Sequence, residues 1–325
     1  MRALVCKEFG TPDKLVIEDV DNPEPGDSEL LIDVHAAGIN FPDILAFAGK
    51  YQVRTEPPFI PGYEASGVVT ATGAGVSGFR PGDRVVVAPM GGGFAEQIAV
   101  PASQAFPLPD AMSFAEGAGF PITYCTSYHA LRDCAGLQQG ETLLVLGAAG
   151  GVGTTAIEIG RSMGAHVIAA ASTAKKLAFA ESVGADQTIN YTDENLRDAV
   201  KALTDGKGVD VVYDPVGGDL AEQALRSCGW QARYLVVGFA SGDIPRLPAN
   251  LALLKEASIR GVFWGQWAAN DPAGHARNLH EMMSLLEAGA IRPRITHCYA
   301  LDDYVQAYVD VAGRRVTGKT VFQIR

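Results

Sequence analysis

The stretch from Leu143 to Gly153, LLVLGAAGGVG, constrains the fold of this chain more than any other segment. Its apolar first half runs directly into a glycine-rich turn. Behind the turn, Val152, Ala156, Ile159 and Met163 recur at a spacing that is typical of one helical face. This order predicts a buried strand, a tight turn and a helix.

The glycines of this turn suit the binding of a diphosphate. Gly150, Gly151 and Gly153 let the backbone turn sharply, approach a ligand without a Cβ between them, and pack the helix closely on the strand. The free amides and the positive end of the helix dipole then face the phosphates. We therefore predict that Gly150, Gly151, Val152 and Gly153 bind a dinucleotide; the alternative is an ordinary tight turn without a ligand.

The segment from residue 1 to 121 has a β-rich pattern. Its strand-like stretches are ALVCKEFG, KLVIEDV, ELLIDVHAAGI, ASGVVTATG, DRVVVAP and AEQIAV, and turns rich in Pro and Gly separate them. This spacing predicts a small barrel or folded sheet. Near residue 113 the pattern becomes helical, because Ser113 and Glu116 have the spacing of a capping box and Pro121 interrupts the helix.

Strands and helices alternate after residue 142. Six apolar stretches, LLVLG, HVIAAA, QTINY, VDVVYD, ARYLVVG and SIRGVFW, are joined by helical segments, which predicts a doubly wound parallel sheet. A last strand, KTVFQI, is most easily accommodated by pairing with the first domain. The predicted fold is therefore α/β, with a first domain over 1–121, an inserted dinucleotide-binding domain over 122–263, and a return to the first domain over 264–325.

Composition excludes several classes of protein. The 325 residues are 47% hydrophobic and 19% charged, which is typical of a globular chain with well-buried cores. A net charge of -11 argues against nucleic-acid and acidic-membrane partners. Lys7 and Glu8 interrupt any early signal-like segment and no apolar run spans a membrane, so a cytoplasmic location is expected. The five scattered cysteines form no CxxC and predict neither disulfides nor a structural zinc.

Five ordered motifs resemble one superfamily. They are PGYEASGVVTATGAGV at 61–76, FRPGDRVVV at 79–87, GGFAEQIAVP at 92–101, GAAGGVG at 147–153 and GKTVF at 318–322. Together they resemble the medium-chain dehydrogenase/reductase superfamily, and within it the zinc-free, zeta-crystallin-like NADPH:quinone oxidoreductase branch. The resemblance implies a Rossmann domain inserted into a GroES-like β-barrel catalytic domain, an active site between the two, and a homodimer.

The positions that hold catalytic zinc in other branches carry different residues here. Zinc-dependent relatives have a cysteine after an AAGI-like strand, a histidine in a GHE motif and a third ligand near the domain junction. This chain has Asn40, Tyr63 and a residue near Ile122, so that only Glu64 remains. One carboxylate cannot supply the ligand set that zinc requires, and we predict no metal.

Cofactor choice is indicated at the end of the second Rossmann strand. A site that prefers NAD usually has an acidic residue about 20 positions beyond the glycines, whereas this chain has AAS at 170–172. Lys176 follows on the next helix and can pair with a 2′-phosphate, with Lys175 as the competing lysine. The resemblance adds Ser172 and Tyr191 to the adenosine-phosphate contacts, and the predicted cofactor is NADPH.

The resemblance also implies residues at the reacting end. Asn40 would hold a ribose or carbonyl oxygen, Tyr51 would donate a hydrogen bond to the substrate, and Asp43 would orient its neighbours. The alternative is a turn with a capping Asp and a packed Tyr. Leu45 stands where some relatives carry another tyrosine, so a mechanism that needs this second hydroxyl is disfavoured.

Further residues are expected beside the nicotinamide, again by resemblance. Thr126 lies in the YCTSYHA segment, and backbone groups after two strands would frame the carboxamide. These are Gly238, Phe239, Phe263 and Gly265.

The predicted function is hydride transfer from NADPH to a small-molecule quinone or α,β-unsaturated carbonyl. An enoyl-thioester reductase is a second possibility, although Lys50 and Arg54 stand alone where a coenzyme A group would favour a basic groove. A third is an NADPH-binding protein with a structural or RNA-binding role, which the acidic balance disfavours.

Overall fold

The computed structural model describes the whole chain, Met1 to Arg325, as two compact units. The first unit comprises Met1–Ile122 together with Pro293–Arg325, and the second comprises Thr123–Arg292. No helix has both the length and the apolar composition needed to cross a membrane.

The N-terminal part of the first unit contains seven strands and two helices. They are β1 (Arg2–Cys6), β2 (Leu15–Asp19), β3 (Glu29–Ile39), α1 (Phe41–Phe47), β4 (Ala65–Thr72), β5 (Arg84–Val87), β6 (Gln97–Pro101), β7 (Ala105–Pro107) and α2 (Phe114–Ala118). Partly exposed and buried residues alternate along the first part of β3. The buried ones, Leu30, Ile32 and Val34, lie in the core of the unit.

A helical stretch of mixed winding begins at the end of the first unit and continues into the second. A π-helical turn at Pro121–Cys125 leads into α3 (Thr126–Tyr128) and then into a π-helix at His129–Ala135. The predicted start and break are confirmed: Ser113 and Glu116 form the capping box of α2, which ends at Ala118, before Pro121. The elements that follow are β8 (Thr142–Leu146), α4 (Gly151–Ser162), β9 (His166–Ala171), α5 (Ala174–Val183), β10 (Gln187–Asn190), α6 (Leu196–Leu203), β11 (Val209–Asp214), α7 (Asp219–Ser227), β12 (Cys228–Val236), α8 (Ala249–Lys255), β13 (Ser258–Gly261), α9 (Trp264–Asn270) and α10 (Pro272–Glu287).

The six strands of the second unit form one parallel sheet. Their order is β10-β9-β8-β11-β12-β13, and every neighbouring pair is parallel. The central strands are almost wholly buried, as expected for a parallel sheet with helices on both faces. The predicted doubly wound sheet is confirmed.

The chain returns to the first unit for β14 (Ile295–Ala300), α11 (Tyr304–Ala312) and β15 (Lys319–Gln323). Strand β15 pairs antiparallel with β3, where Thr320 lies opposite Ile39, and parallel with β14. The predicted pairing of the last strand with the first domain is therefore confirmed, and the second unit is an insertion. The first unit has a seven-stranded sheet in the order β14-β15-β3-β4-β5-β7 with β6 on β3, and a separate β1-β2 pair.

The structure moves the second domain boundary from the expected residue 264 to Pro293. Helices α9 and α10 belong to the second unit because α10 is bound to its first helical stretch. Glu281 accepts hydrogen bonds from Arg132 Nε at 2.7 Å and from the Tyr128 hydroxyl at 2.5 Å. The first boundary, at Ile122, lies one residue beyond the expected 121.

A buried ion pair joins the last strand to the rest of the first unit. Lys319 Nζ lies 2.6 Å from Glu64 Oε1, and both side chains are buried. The same ammonium donates to the Ile39 carbonyl at 2.8 Å and to Asn40 Oδ1 at 2.6 Å. Its three donors are therefore satisfied by three acceptors.

Lys319→Met is expected to destabilise the first unit by about 3–5 kcal/mol, because it leaves the Glu64 carboxylate buried without its counter-charge. Lys319→Met combined with Glu64→Leu should be less destabilising than the single change, since an apolar pair leaves no uncompensated charge. Urea unfolding, with the exposed Lys201→Met as control, measures both. Equal stability of the single and double variants would contradict this account.

Candidate active site

The glycine-rich turn joins β8 to α4 in the geometry that the motif predicts. Gly147 has a positive φ of +56°, and α4 begins at Gly151 with Gly150 as its N-cap. A Cβ on Gly153 would lie 2.4 Å from the Gly147 carbonyl oxygen, so only glycine permits this close approach of helix and turn.

This turn fits a diphosphate. No side chain caps the amino end of α4, which leaves its first-turn amides available to an anion. Gly150 has no side chain that could cover them. The first turn of α4 is bound to the preceding helical stretch, because Ser127 Oγ donates to the Val152 carbonyl at 3.1 Å.

The residues predicted at the adenosine end lie together beside the carboxyl ends of β9 and β10. Lys176 Nζ donates to Ser172 Oγ at 3.3 Å, and the Tyr191 amide donates to the Ala171 carbonyl at 3.2 Å. Residues 170–172 carry no acidic group at this point. The pairing with Ser172 favours Lys176 over the exposed Lys175 as the phosphate ligand.

Four of the five residues predicted beside the nicotinamide come after strands of the parallel sheet, whereas Thr126 lies in α3. Thr126 is partly exposed and adjoins Ser127, which binds the start of α4. Gly238 and Phe239 follow β12, whereas Phe263 and Gly265 lie at the start of α9 after β13. The carboxyl edge of a parallel sheet is where doubly wound folds bind ligands.

Asp214 organises this edge and was not identified from the sequence. It ends β11, is 3% exposed, and accepts hydrogen bonds from the Val216 and Gly217 amides at 2.8 and 2.9 Å. The Tyr234 hydroxyl of β12 donates to its other oxygen. Burial raises the pKa of Asp214, and these hydrogen bonds oppose the shift. The signal was an aspartate that ends an apolar strand directly before a Pro-Val-Gly-Gly turn.

In the first unit, Asn40 is committed to internal partners. Its side-chain nitrogen donates to Glu64 Oε1 at 2.8 Å and to the Gly38 carbonyl at 3.3 Å, while its oxygen accepts from Lys319. The residue is 6% exposed. These contacts involve both polar atoms of the side chain, and direct contact of Asn40 with substrate or ribose stays a prediction.

Asp43 is wholly buried and caps α1. Its Oδ2 accepts from the Asn40 amide at 2.6 Å, as in the capping alternative, whereas Oδ1 makes no hydrogen bond. Burial raises the pKa of Asp43 to about 8, against the opposing effects of the Asn40 amide, the Lys319 charge and the nearby Gly62 amide. The carboxyl group is therefore largely protonated at neutral pH.

Two tyrosines adjoin this carboxyl group. The rings of Tyr51 and Tyr63 lie 5.6 Å apart, both are partly exposed, and neither hydroxyl makes a hydrogen bond within the protein. Burial, and then the Asp43 charge, raise the pKa of both phenols, so they stay protonated and able to donate. The sequence comparison indicates Tyr63 only as a replaced zinc ligand, and its place in the PGYE motif is the signal for a site residue. The buried Tyr308, whose hydroxyl has no partner, completes the cluster.

The positions compared with zinc ligands are occupied as follows. Glu64 Oε2 accepts from the Ile122 amide at 2.8 Å, and Oε1 binds Lys319 and Asn40. The structure contains no group of three or more His, Cys, Asp or Glu side chains that could hold a metal ion.

Asp43→Asn is expected to flatten the pH dependence of stability. A carboxyl group whose pKa is raised on folding binds more protons in the folded state, so wild-type stability falls as pH rises from about 4 towards 8. Thermal unfolding at pH 5 and pH 8.5 measures the loss, with the exposed Asp21→Asn as control. A pH dependence that is identical in Asp43→Asn and wild type would refute the raised pKa.

Two family models match the chain. The alcohol dehydrogenase GroES-like domain matches residues 26–110, and the zinc-binding dehydrogenase model matches residues 151–286. The two matches fall in the first and second units, respectively.

Known proteins resemble the chain along its whole length. Quinone oxidoreductase-like protein 2 homolog of Nematostella vectensis is 38% identical and covers 100% of this chain, with 89% of its own length matched. The Escherichia coli quinone oxidoreductase complexed with NADPH has a TM-score of 0.94 at 29% identity, with 100% of both chains covered. A 2-haloacrylate reductase has a TM-score of 0.86 at 27% identity, again with 100% of both chains covered.

Proposed function

This chain belongs to the quinone oxidoreductase branch of the medium-chain dehydrogenase/reductase superfamily, and from that premise we propose that it is an NADPH-dependent enzyme that reduces quinones or α,β-unsaturated carbonyl compounds without zinc. The Ser172–Lys176 pair supports NADPH rather than NAD as the cofactor, because it lies where a site that prefers NAD has a carboxylate. The NADPH complex of the Escherichia coli neighbour supports the same cofactor.

NADPH supplies the hydride when it is bound, and the protein supplies binding and orientation. Gly150, Gly151, Val152 and Gly153 offer backbone amides to the diphosphate. Ser172 and Lys176 would bind the 2′-phosphate, and Tyr191 would contact the adenosine. The nicotinamide side would be lined by Thr126, Gly238, Phe239, Phe263 and Gly265.

Lys176→Ala is expected to raise KM for NADPH about tenfold or more while leaving KM for NADH nearly unchanged, because it removes the charge that pairs with the 2′-phosphate. Lys175→Ala is the matched control and should change neither value. Steady-state kinetics with both cofactors measure the ratio. An unchanged preference for NADPH over NADH in Lys176→Ala would contradict the assignment of Lys176 as the 2′-phosphate ligand.

The substrate side uses hydrogen bonds in place of a metal. Tyr51 and Tyr63 present hydroxyls with no internal partner, and a carbonyl oxygen that gains negative charge during hydride addition would accept from them. Tyr51 then donates the proton that completes the reduction, directly or through water. Asn40 and Asp43 position the segment that carries Tyr51, and the protonated carboxyl group of Asp43 avoids a negative charge beside the developing oxyanion.

Reduction of an activated double bond has a specific point in its favour. A 2-haloacrylate is an α,β-unsaturated carboxylate, and the reductase that carries this name shares the fold over its full length.

An enoyl thioester of coenzyme A is the second candidate. Its phosphates would need basic partners near the substrate segment, but Arg54 is paired with Glu56 at 2.8 Å. The family assignment and the two tyrosine hydroxyls without an internal partner favour an enzyme over a purely structural NADPH-binding protein.

Tyr51→Phe is expected to lower kcat for a small enone about 10²-fold, since one donor to the oxyanion is lost. NADPH consumption should be measured against quinones, enones and enoyl thioesters in parallel. Tyr299→Phe, which removes a hydroxyl bound to Asp310, is the control. Full activity of Tyr51→Phe would contradict the donor role, and NADPH binding without turnover of any acceptor would contradict enzymatic reduction.

A homodimer is part of the same proposal. Strand β13 lies at the edge of the parallel sheet, and Ile259 on it is 41% exposed. On the neighbouring α8, Leu253 and Leu254 are 80% and 69% exposed. An open strand edge beside apolar side chains supports pairing with the same edge of a second copy.

A further inference from the structure

The π-helix His129–Ala135 carries a cluster of reactive groups that the reductase mechanism does not use. A π-helix bonds residues five apart, so His129 faces both Asp133 and Cys134 across one turn. His129 Nδ1 lies 2.9 Å from Asp133 Oδ2, and His129 Nε2 lies 3.4 Å from Cys134 Sγ. A thiol, an imidazole and a carboxylate are therefore joined in series.

The imidazole ring is held in place on both sides. His129 is 6% exposed and stacks on Trp267 of α9, with ring centroids 4.1 Å apart at 21°. Asn278 of α10 donates to Asp133 Oδ2 at 2.7 Å, and Arg132 contacts the other oxygen at 3.3 Å. In the tautomer with its proton on Nδ1, the imidazole donates to Asp133 and presents the Nε2 lone pair to the thiol.

We propose that Cys134, His129 and Asp133 form a thiol site that adds to soft carbon electrophiles, of which α,β-unsaturated carbonyl compounds are the natural class. The arrangement is the nucleophile, base and orienting acid of covalent catalysis. Cys134 is partly exposed, whereas Cys6, Cys125 and Cys228 are buried.

The addition balances without an external oxidant or reductant. The Cys134 S–H proton passes to His129 Nε2 as sulfur attacks the β-carbon, and an S–C bond forms while the C=C π bond breaks. The electron pair moves to the carbonyl oxygen as an enolate, and the imidazolium then returns one proton to the adduct. Burial and the Asp133 charge raise the pKa of Cys134, against the effect of Arg260. A base within reach is therefore needed to remove the proton during the attack.

Cys298 provides an internal control in the same chain. It is exposed, and its sulfur makes a hydrogen bond to Gln323 Oε1 at 4.0 Å rather than to an imidazole. Exposure alone would make Cys298 react faster than the partly buried Cys134. The proposal predicts the opposite order.

The experiment measures alkylation of the intact protein by N-ethylmaleimide at pH 7.5, with peptide mass spectrometry of each cysteine. In wild type, Cys134 should be alkylated at least tenfold faster than Cys298. His129→Gln should slow Cys134 at least tenfold, and Asp133→Asn should slow it less, while the Cys298 rate stays constant in both. The exposed His280→Gln is the matched control and should change neither rate.

Wild-type Cys134 that reacts no faster than Cys298 would overturn the proposal, and this comparison needs no variant. An unchanged Cys134 rate in His129→Gln would do the same. Because the labelling requires neither NADPH nor turnover, its outcome is independent of the reductase assignment.

Discussion

The buried contact between Lys319 and Glu64 is the interaction on which the first unit depends. The chain leaves this unit after Ile122 and returns only at Pro293, so its last strand must find β3 across a large insertion. The Lys319 ammonium group connects this strand to the rest of the unit, because it binds Glu64, Asn40 and the Ile39 carbonyl together. The fit is tight, because a Cβ on Gly38 would lie 2.2 Å from Glu64 Oε1. The separated motifs AAGIN, PGYEA and GKTVF thus meet at one point.

Two buried carboxyl groups lie in this unit, and they differ in how their charge is compensated. Glu64 has a cation, an amide side chain and a backbone amide as partners, so its negative charge is compensated. Asp43 has one hydrogen bond from the Asn40 amide, and burial raises its pKa to about 8. It therefore retains a proton at neutral pH. Tyr51 and Tyr63 therefore lie beside a carboxyl group that is largely uncharged. A full negative charge there would repel the oxyanion that the proposed reduction would form.

The sequence predicted the parts of the fold that have a strong local signal. The strand, glycine turn and helix at Leu143–Gly153, the parallel sheet and the return of the KTVFQI strand are all present, because apolar periodicity and glycine geometry are local properties. The sequence does not predict β14, because ITHCYA lacks a clean alternation of polar and apolar residues and none of its residues is fully buried at the edge of the sheet, where it pairs only with β15. The second boundary lies at 293 rather than at 264, because Glu281 contacts Arg132 and Tyr128, which are far from it in the sequence. For the same reason, no spacing rule could place Lys319 on Asn40. Asp214 and Tyr63 each have a local signal, the end of an apolar strand and the PGYE motif, but only the fold shows their partners Tyr234 and Tyr51.

The central claim is that this chain delivers a hydride from NADPH to carbon. The most direct measurement is reduction of a small enone with NADPH that is doubly deuterated at C4 of the nicotinamide, followed by mass spectrometry and NMR of the product. The account predicts one deuterium at the β-carbon, with the α-hydrogen drawn from solvent. A reduced product without deuterium at the β-carbon, or cofactor oxidation without reduction of the enone, would contradict it.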